Sequence, residues 1–121
     1  MVRALIDTNI AIDYLNGVVA AKKEISRYDE VVISVVTWIE VMVGTDPADL
    51  PDTSAFLDLC KLVPADLRIA RRSVDIRQMY RIKLPDAIIW ASAQIEGCLF
   101  VTRNTKDFPA GDPGIRHPYK I

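Results

Sequence analysis

Three short apolar runs set the frame: Ala4-Leu5-Ile6, Val31-Val32-Ile33 and Cys98-Leu99-Phe100-Val101. None alternates with polar residues. Successive side chains of a strand point to opposite faces, so a strand apolar at every position is buried on both sides. Helical signals fill the intervals. Thr8 or Asn9 can cap a helix running to about Leu15, stopped by Asn16-Gly17, and Val18 to Tyr28 reads as an amphipathic helix. Ser34 caps a helix from Val35 to Val43 that ends at Gly44. Asp46 to Asp52, with two prolines and three aspartates, reads as a loop, and Ser54 to Lys61 as a short helix. Leu62-Val63-Pro64 reads as a short edge strand, because Pro64 has no N–H for a ladder. Asp66 caps a long helix to Tyr80, and Pro85 sits near the first turn of another that runs to Glu96 and stops at Gly97. A further edge strand is predicted around Ile115-Arg116-His117.

Strands alternating with helices predict an α/β fold: a parallel sheet, covered on both faces, with right-handed crossovers. With 121 residues and no linker, repeat or low-complexity stretch, residues 1–121 read as one domain. The net charge of −1 gives no global attraction for nucleic acid, so an anionic partner must be held by local patches or through a metal. Cys60 and Cys98 lack zinc-type spacing and read as buried thiols in a reducing cytoplasm. Asp7 and Asp13 break any signal-peptide core, and the longest apolar stretch, Val31 to Ile39, is too short to span a membrane.

Chemistry points to four acids. Asp7 closes the first strand. Glu40 lies within the apolar run Val36 to Val43, where a buried charge needs a partner. Asp86 opens the helix before the last long strand, and Asp107 follows that strand. Sites in parallel sheets gather outside the carboxyl ends of strands, which puts Asp7 and Asp107 at one edge with Glu40 and Asp86 within reach. Each acid also has an ordinary reading as a cap or a solvated group. Together the four fit a hard cation with oxygen ligands, such as Mg²⁺. His117, in the proline-rich tail, reads as structural, and no serine or cysteine has a histidine partner for a hydrolytic triad.

These residues carry a resemblance. Leu5-Ile6-Asp7-Thr8-Asn9, Thr37-x-x-Glu40, Leu84-Pro85-Asp86-Ala87 and Val101-Thr102-x-Asn104-x-x-Asp107-Phe108 together resemble the PIN domain family, and within it the VapC-type toxins of toxin–antitoxin pairs. The resemblance implies a three-layer α/β/α sandwich with a mainly parallel sheet of four to five strands. It implies an endoribonuclease that uses Mg²⁺, or Mn²⁺, to activate water for phosphodiester hydrolysis, leaving 5′-phosphate and 3′-hydroxyl ends. Asp7, Glu40, Asp86 and Asp107 carry over as the acidic quartet, with Asp7, Asp86 and Asp107 as metal ligands. Thr102 and Asn104 match supporting positions, and Asn9 is placed to orient Asp7 or the adjoining backbone. A homodimer and a VapB-type antitoxin whose C-terminal segment covers the site are implied as partners.

For substrate RNA, Lys83 and Arg103 are the better candidates for phosphate contact, since each lies near a proposed acid. The run Arg68, Arg71, Arg72, Arg77 and Arg81 reads first as a solvated helix face. The Val35–Val43 helix reads mainly as core, with part of it available to a homodimer. Three other functions compete. A haloacid-dehalogenase-like phosphatase wants a second acid two residues after the first, where this chain has Asn9. A PIN-fold nuclease acting in RNA processing outside a toxin pair has the same site. A non-catalytic binding module has no need of four acids.

Overall fold

The computed structural model describes residues 2–121. Five strands, β1 (Arg3–Ile6), β2 (Glu30–Ser34), β3 (Lys61–Val63), β4 (Leu99–Val101) and β5 (Ile115–Arg116), form one sheet in the order β3-β2-β1-β4-β5. All four strand pairs are parallel. The helices are α1 (Thr8–Leu15), α2 (Val19–Ser26), α3 (Val35–Val43), α4 (Leu50–Leu59), α5 (Leu67–Tyr80) and α6 (Leu84–Ile95). The α/β architecture is as the sequence predicts, with β3 and β5 at the edges.

The two-sided burial of the strands is direct. Leu5, Val32, Val63 and Phe100 pack with Ile69 and Ile76 of α5 and with Ile89 and Trp90 of α6. Ala4, Ile6, Ile33 and Val101 face the other way, against Ile10 of α1, Val41 of α3 and Phe56 and Leu57 of α4. One continuous apolar run therefore serves two cores, which is why it shows no alternation. Phe108 closes the first core edge-on to both Trp90 and Phe100.

Local details refine the boundaries. Asp7, not Thr8 or Asn9, is the cap of α1: its side chain accepts from Thr8 N. Ser34 and Asp66 cap α3 and α5 as predicted, accepting from Val36 N and Ile69 N. The stretch 46–52 is not all loop. Pro47–Asp49 forms a 3-10 turn and α4 already begins at Leu50, since Pro51 is tolerated in a first turn where its missing N–H is not needed. β3 ends at Val63, so Pro64 lies just outside it, and β5 stops before His117. Arg81 takes a left-handed conformation, φ 56°, and lets the chain turn from α5 back into α6. No helix among the described residues is long and apolar enough to cross a membrane.

Candidate active site

Strand order reverses at β1. The chain leaves β1 for β2 on one side and later enters β4 on the other. A cleft opens at such a point beyond the carboxyl ends of the strands. The register Ile6↔Val101 places the next residues, Asp7 and Thr102, side by side, and Asp7 N donates to Val101 O at 2.8 Å.

Asp7 is 4% exposed, and its carboxylate is fully engaged by its neighbours. Oδ1 accepts from Thr8 N at 2.8 Å. Oδ2 accepts from the Thr102 hydroxyl at 2.7 Å and from the Asn9 amide at 3.3 Å. Burial pushes the Asp7 carboxyl up to about 6; the Thr102 and Thr8 bonds oppose the shift, and the negative charges of Asp86 and Glu40 add to it. Asp86, half-buried in the first turn of α6, is also raised, by burial first and then by the charges of Asp107 and Glu40, while Lys83 pulls it down. The four acids therefore share one electrostatic neighbourhood. Asp86 reaches it because a crossover helix runs antiparallel to the strands. The start of α6 lies at the edge where β1 and β4 end, although the helix leads into β4.

Asp107 is held by the turn that carries it. Asn104 Nδ2 donates to Asp107 Oδ2 at 2.9 Å, and Asn104 Oδ1 accepts from Asp107 N at 3.1 Å. Asn104 N in turn donates to Thr102 Oγ1 at 3.0 Å. The β4 carboxyl end and the turn after it thus form one hydrogen-bonded unit that orients both Asp7 and Asp107. The Asn9 amide nitrogen donates to Asp7 Oδ2 at 3.3 Å, and its Oδ1 accepts from Arg103 N at 3.2 Å.

Glu40 departs from the sequence reading. It is exposed rather than buried in an apolar setting, because α3 buries Thr37 and Val41 and turns Trp38, Ile39 and Glu40 outward. Its partner is Thr8, whose hydroxyl donates to Oε1 at 2.7 Å and lies 3.0 Å from the buried Thr37 hydroxyl. Thr37-x-x-Glu40 is therefore not a capping box but a pair on one helix face, joined to α1 through Thr8. Sequence reasoning missed Thr8, though its place beside Asp7 and the Thr37–Glu40 spacing were the available signals.

Lys83 is exposed beside Asp86, as its effect on that carboxyl shows. Arg103 is a different matter. Its guanidinium is bidentate on Asp13, with Nε to Oδ2 at 2.6 Å and an Nη to Oδ1 at 3.2 Å, so its charge is already satisfied within the chain. His117 makes a 3.3 Å contact from Nε2 to the Asn104 carbonyl, in keeping with a structural role. Within the basic run, Arg68 is paired with Asp66 and Arg72 donates to Gln94.

Among the described residues no three His, Cys, Asp or Glu side chains form a ready-made ligand cage. The donors on offer are carboxylate oxygens that repel one another at a strand edge. That set fits a hard divalent cation of the kind that keeps several of its waters and bridges carboxylates through them.

Comparisons with known proteins agree with this geometry. The PIN domain family model matches residues 4–111. Ribonuclease VapC10 of Mycobacterium tuberculosis is 34% identical over 125 residues, covering 97% of this chain and 93% of its own. A chain of a toxin–antitoxin complex from Klebsiella pneumoniae matches with a TM-score of 0.92 and 45% identity, covering 98% of this chain and 99% of its own. A chain of DNA-bound VapBC from Salmonella typhimurium, 23% identical with a TM-score of 0.81 over 96% of each chain, shares the fold. A family match across most of the sequence, a ribonuclease relative covering nearly all of it and the acid-lined edge of a parallel sheet place this chain in the PIN domain family, among the VapC-type proteins.

Proposed function

We propose that this chain is a divalent-metal-dependent endoribonuclease, the toxin of a toxin–antitoxin pair, with Asp7, Glu40, Asp86 and Asp107 as its catalytic acids. The observation that carries the reading is Asp7: a buried carboxylate, held by three hydrogen bonds at the switch point of the sheet, whose charge is disfavoured by Asp86 and Glu40. A folded chain keeps such a cluster where a bound cation or the transition state compensates it.

Mg²⁺ is the cation proposed, with Mn²⁺ able to replace it, held by Asp7, Asp86 and Asp107. When bound, the cation supplies Lewis acidity toward water and the phosphoryl oxygens. The chain supplies the rest. Thr102 and Asn9 fix the direction of Asp7, and Asn104 fixes that of Asp107. Glu40, exposed and hydrogen-bonded by Thr8, is the acid proposed to accept a proton from the attacking water. Attack on phosphorus breaks the bond to the 3′ oxygen, which takes a proton from solvent water and leaves as the 3′-hydroxyl of the upstream fragment, while the phosphate stays on the 5′ oxygen of the downstream fragment. Lys83 is the cation placed to meet a backbone phosphate of the RNA.

The partners follow from the same reading. A VapB-type antitoxin covers the acidic site with its C-terminal segment. The exposed apolar residues Trp38, Ile39 and Val43 on α3 suit a homodimer contact.

The test is cleavage of total RNA with purified chain and Mg²⁺, with product ends mapped. The expected result is discrete cuts with 5′-phosphates, lost on adding EDTA and lost in Asp7→Asn. Cleavage at the wild-type rate by Asp7→Asn, or in EDTA, overturns the reading.

A further inference from the structure

Two buried carboxylates in this molecule are gripped in the same way. Glu24 of α2, 4% exposed, takes Arg116 in two bonds of 2.6 and 3.0 Å and a third from the Tyr28 hydroxyl. Asp13 of α1, 5% exposed, takes Arg103 in two bonds of 2.6 and 3.2 Å and a third from the Tyr119 hydroxyl at 2.8 Å. The core chemistry is matched, one carboxylate, one arginine fork and one phenol, although Glu24 also has Arg27 at 3.9 Å. The surroundings differ. Through their side chains, the Glu24 group ties α2 to β5 and makes no hydrogen bond to any of the four acids; its link to the site is main chain alone, Thr102 N donating to Arg116 O at 3.1 Å, which a side-chain substitution leaves in place. The Asp13 group is continuous with them.

The continuity runs through Arg103. Its neighbours in the chain are Thr102, which bonds Asp7, and Asn104, which bonds Asp107. Its own N–H bonds Asn9, which bonds Asp7. Asn9 and Asp13 are four residues apart on α1 and so share a face of that helix. Residue 103 is thereby pinned to α1 at two points, by main chain to Asn9 and by side chain to Asp13. A residue pinned at two points cannot rotate about the strand end, and the side chains on either side of it keep their aim. Tyr119 adds the C-terminal segment as a third anchor on Asp13.

We propose that Arg103, Asp13 and Tyr119 are positioning residues for the active site. They lock the Thr102–Asp107 turn against α1 and so set the alignment of Asp7 and Asp107 toward the cation. The inference rests on the proposed metal-dependent reading of the site. A planar fork on both carboxylate oxygens fixes orientation, which a point charge does not. Arg103→Lys therefore keeps the charge and loses the alignment.

The matched group supplies the control. Mn²⁺ binding is followed by electron paramagnetic resonance on wild type, Arg103→Lys, Tyr119→Phe and Arg116→Lys, each with its melting temperature. Arg103→Lys is expected to weaken Mn²⁺ binding about tenfold, the scale typical of groups that orient metal ligands, and to lower kcat with little change in KM for RNA. Tyr119→Phe, a milder change that serves if Arg103→Lys does not fold, is expected to weaken binding about threefold, as for loss of one hydrogen bond. Arg116→Lys is expected to lower the melting temperature and leave Mn²⁺ affinity alone. Arg103→Lys and Tyr119→Phe variants that fold and bind Mn²⁺ as wild type does overturn the proposal. Equal weakening in Arg116→Lys overturns it too, because the effect then follows general loosening of the fold. A wild-type chain that binds no Mn²⁺ overturns the metal reading itself, a result distinct from the other two.

Discussion

Thr102 Oγ1 donates to Asp7 Oδ2 at 2.7 Å, joining residues 95 positions apart at the ends of β4 and β1. Both residues are buried, and the bond favours the charged form of Asp7 at a place where burial disfavours it. Thr102→Val removes the donor at nearly constant volume. It is expected to raise the Asp7 carboxyl further, so the acid limb of the cleavage pH profile moves to higher pH, with a stability loss of about 1–3 kcal/mol for the unmade bond. Rate profiles from pH 5 to 8 at saturating Mg²⁺ check this; an unmoved limb counts against the role of Thr102.

Asp7 also makes a stability prediction with a definite sign. Its folded value is raised from 3.8 to about 6. Between those values the folded state holds more protons than the unfolded state, so stability falls as pH rises from about 4 to about 6 and is level above that. The full shift corresponds to about 3 kcal/mol, an upper figure for a site whose neighbours can relax. In EDTA, Asp7→Asn is therefore expected to be more stable than wild type by about 1–3 kcal/mol at pH 7.5 and no more stable at pH 4. Urea unfolding at the two pH values decides it.

A bound cation reverses that penalty. Mg²⁺ is expected to raise the melting temperature more at pH 8 than at pH 5, because Asp7 and Asp86, both raised by burial and like charge, must lose their protons to bind it. At a hundredfold excess over its dissociation constant the gain is about 2.7 kcal/mol. Asp86→Asn should shrink the response. Scanning calorimetry with and without Mg²⁺ tests it, and an equal shift at both pH values argues against carboxylate ligation.

Lys83 and Arg103 are expected to differ in RNA binding. Lys83 is exposed beside Asp86, whereas Arg103 is spent on Asp13. Lys83→Ala is expected to weaken binding of a non-cleaved RNA and reduce the slope of log affinity against log salt by about 0.7, the value for one phosphate contact on a single strand. Fluorescence anisotropy across a salt series on the Asp7→Asn background measures it.

Val43 is 82% exposed and Ile39, one turn before it, is half exposed on the same face of α3. If that face is a homodimer contact, Val43→Asp buries an unpaired charge there. Sedimentation is expected to shift toward monomer while cleavage ends stay the same. An unchanged mass moves the contact elsewhere.

Much of this molecule is legible along the chain, because the relevant physics is local. Ala4-Leu5-Ile6 and Val31-Val32-Ile33 announce strands buried on two faces, and Ser34 and Asp66 announce helix starts. Asp7, ending a buried run, is by itself as well read as a cap, and only its company with Glu40, Asp86 and Asp107 makes it a site candidate. Pairings across the fold are not encoded in spacing. Glu40 looked buried because its neighbours are apolar, yet the packing of α3 on Thr37 and Val41 turns it outward to Thr8. Arg103 stands near Asp107 in sequence, yet the sheet order gives it Asp13, from 90 positions away, as its partner. Asp86 joins Asp7 only once α6 runs antiparallel to β4. Patterns of polarity and capping set elements and faces, whereas register and strand order decide which charges meet, and a charge takes its meaning from what it meets.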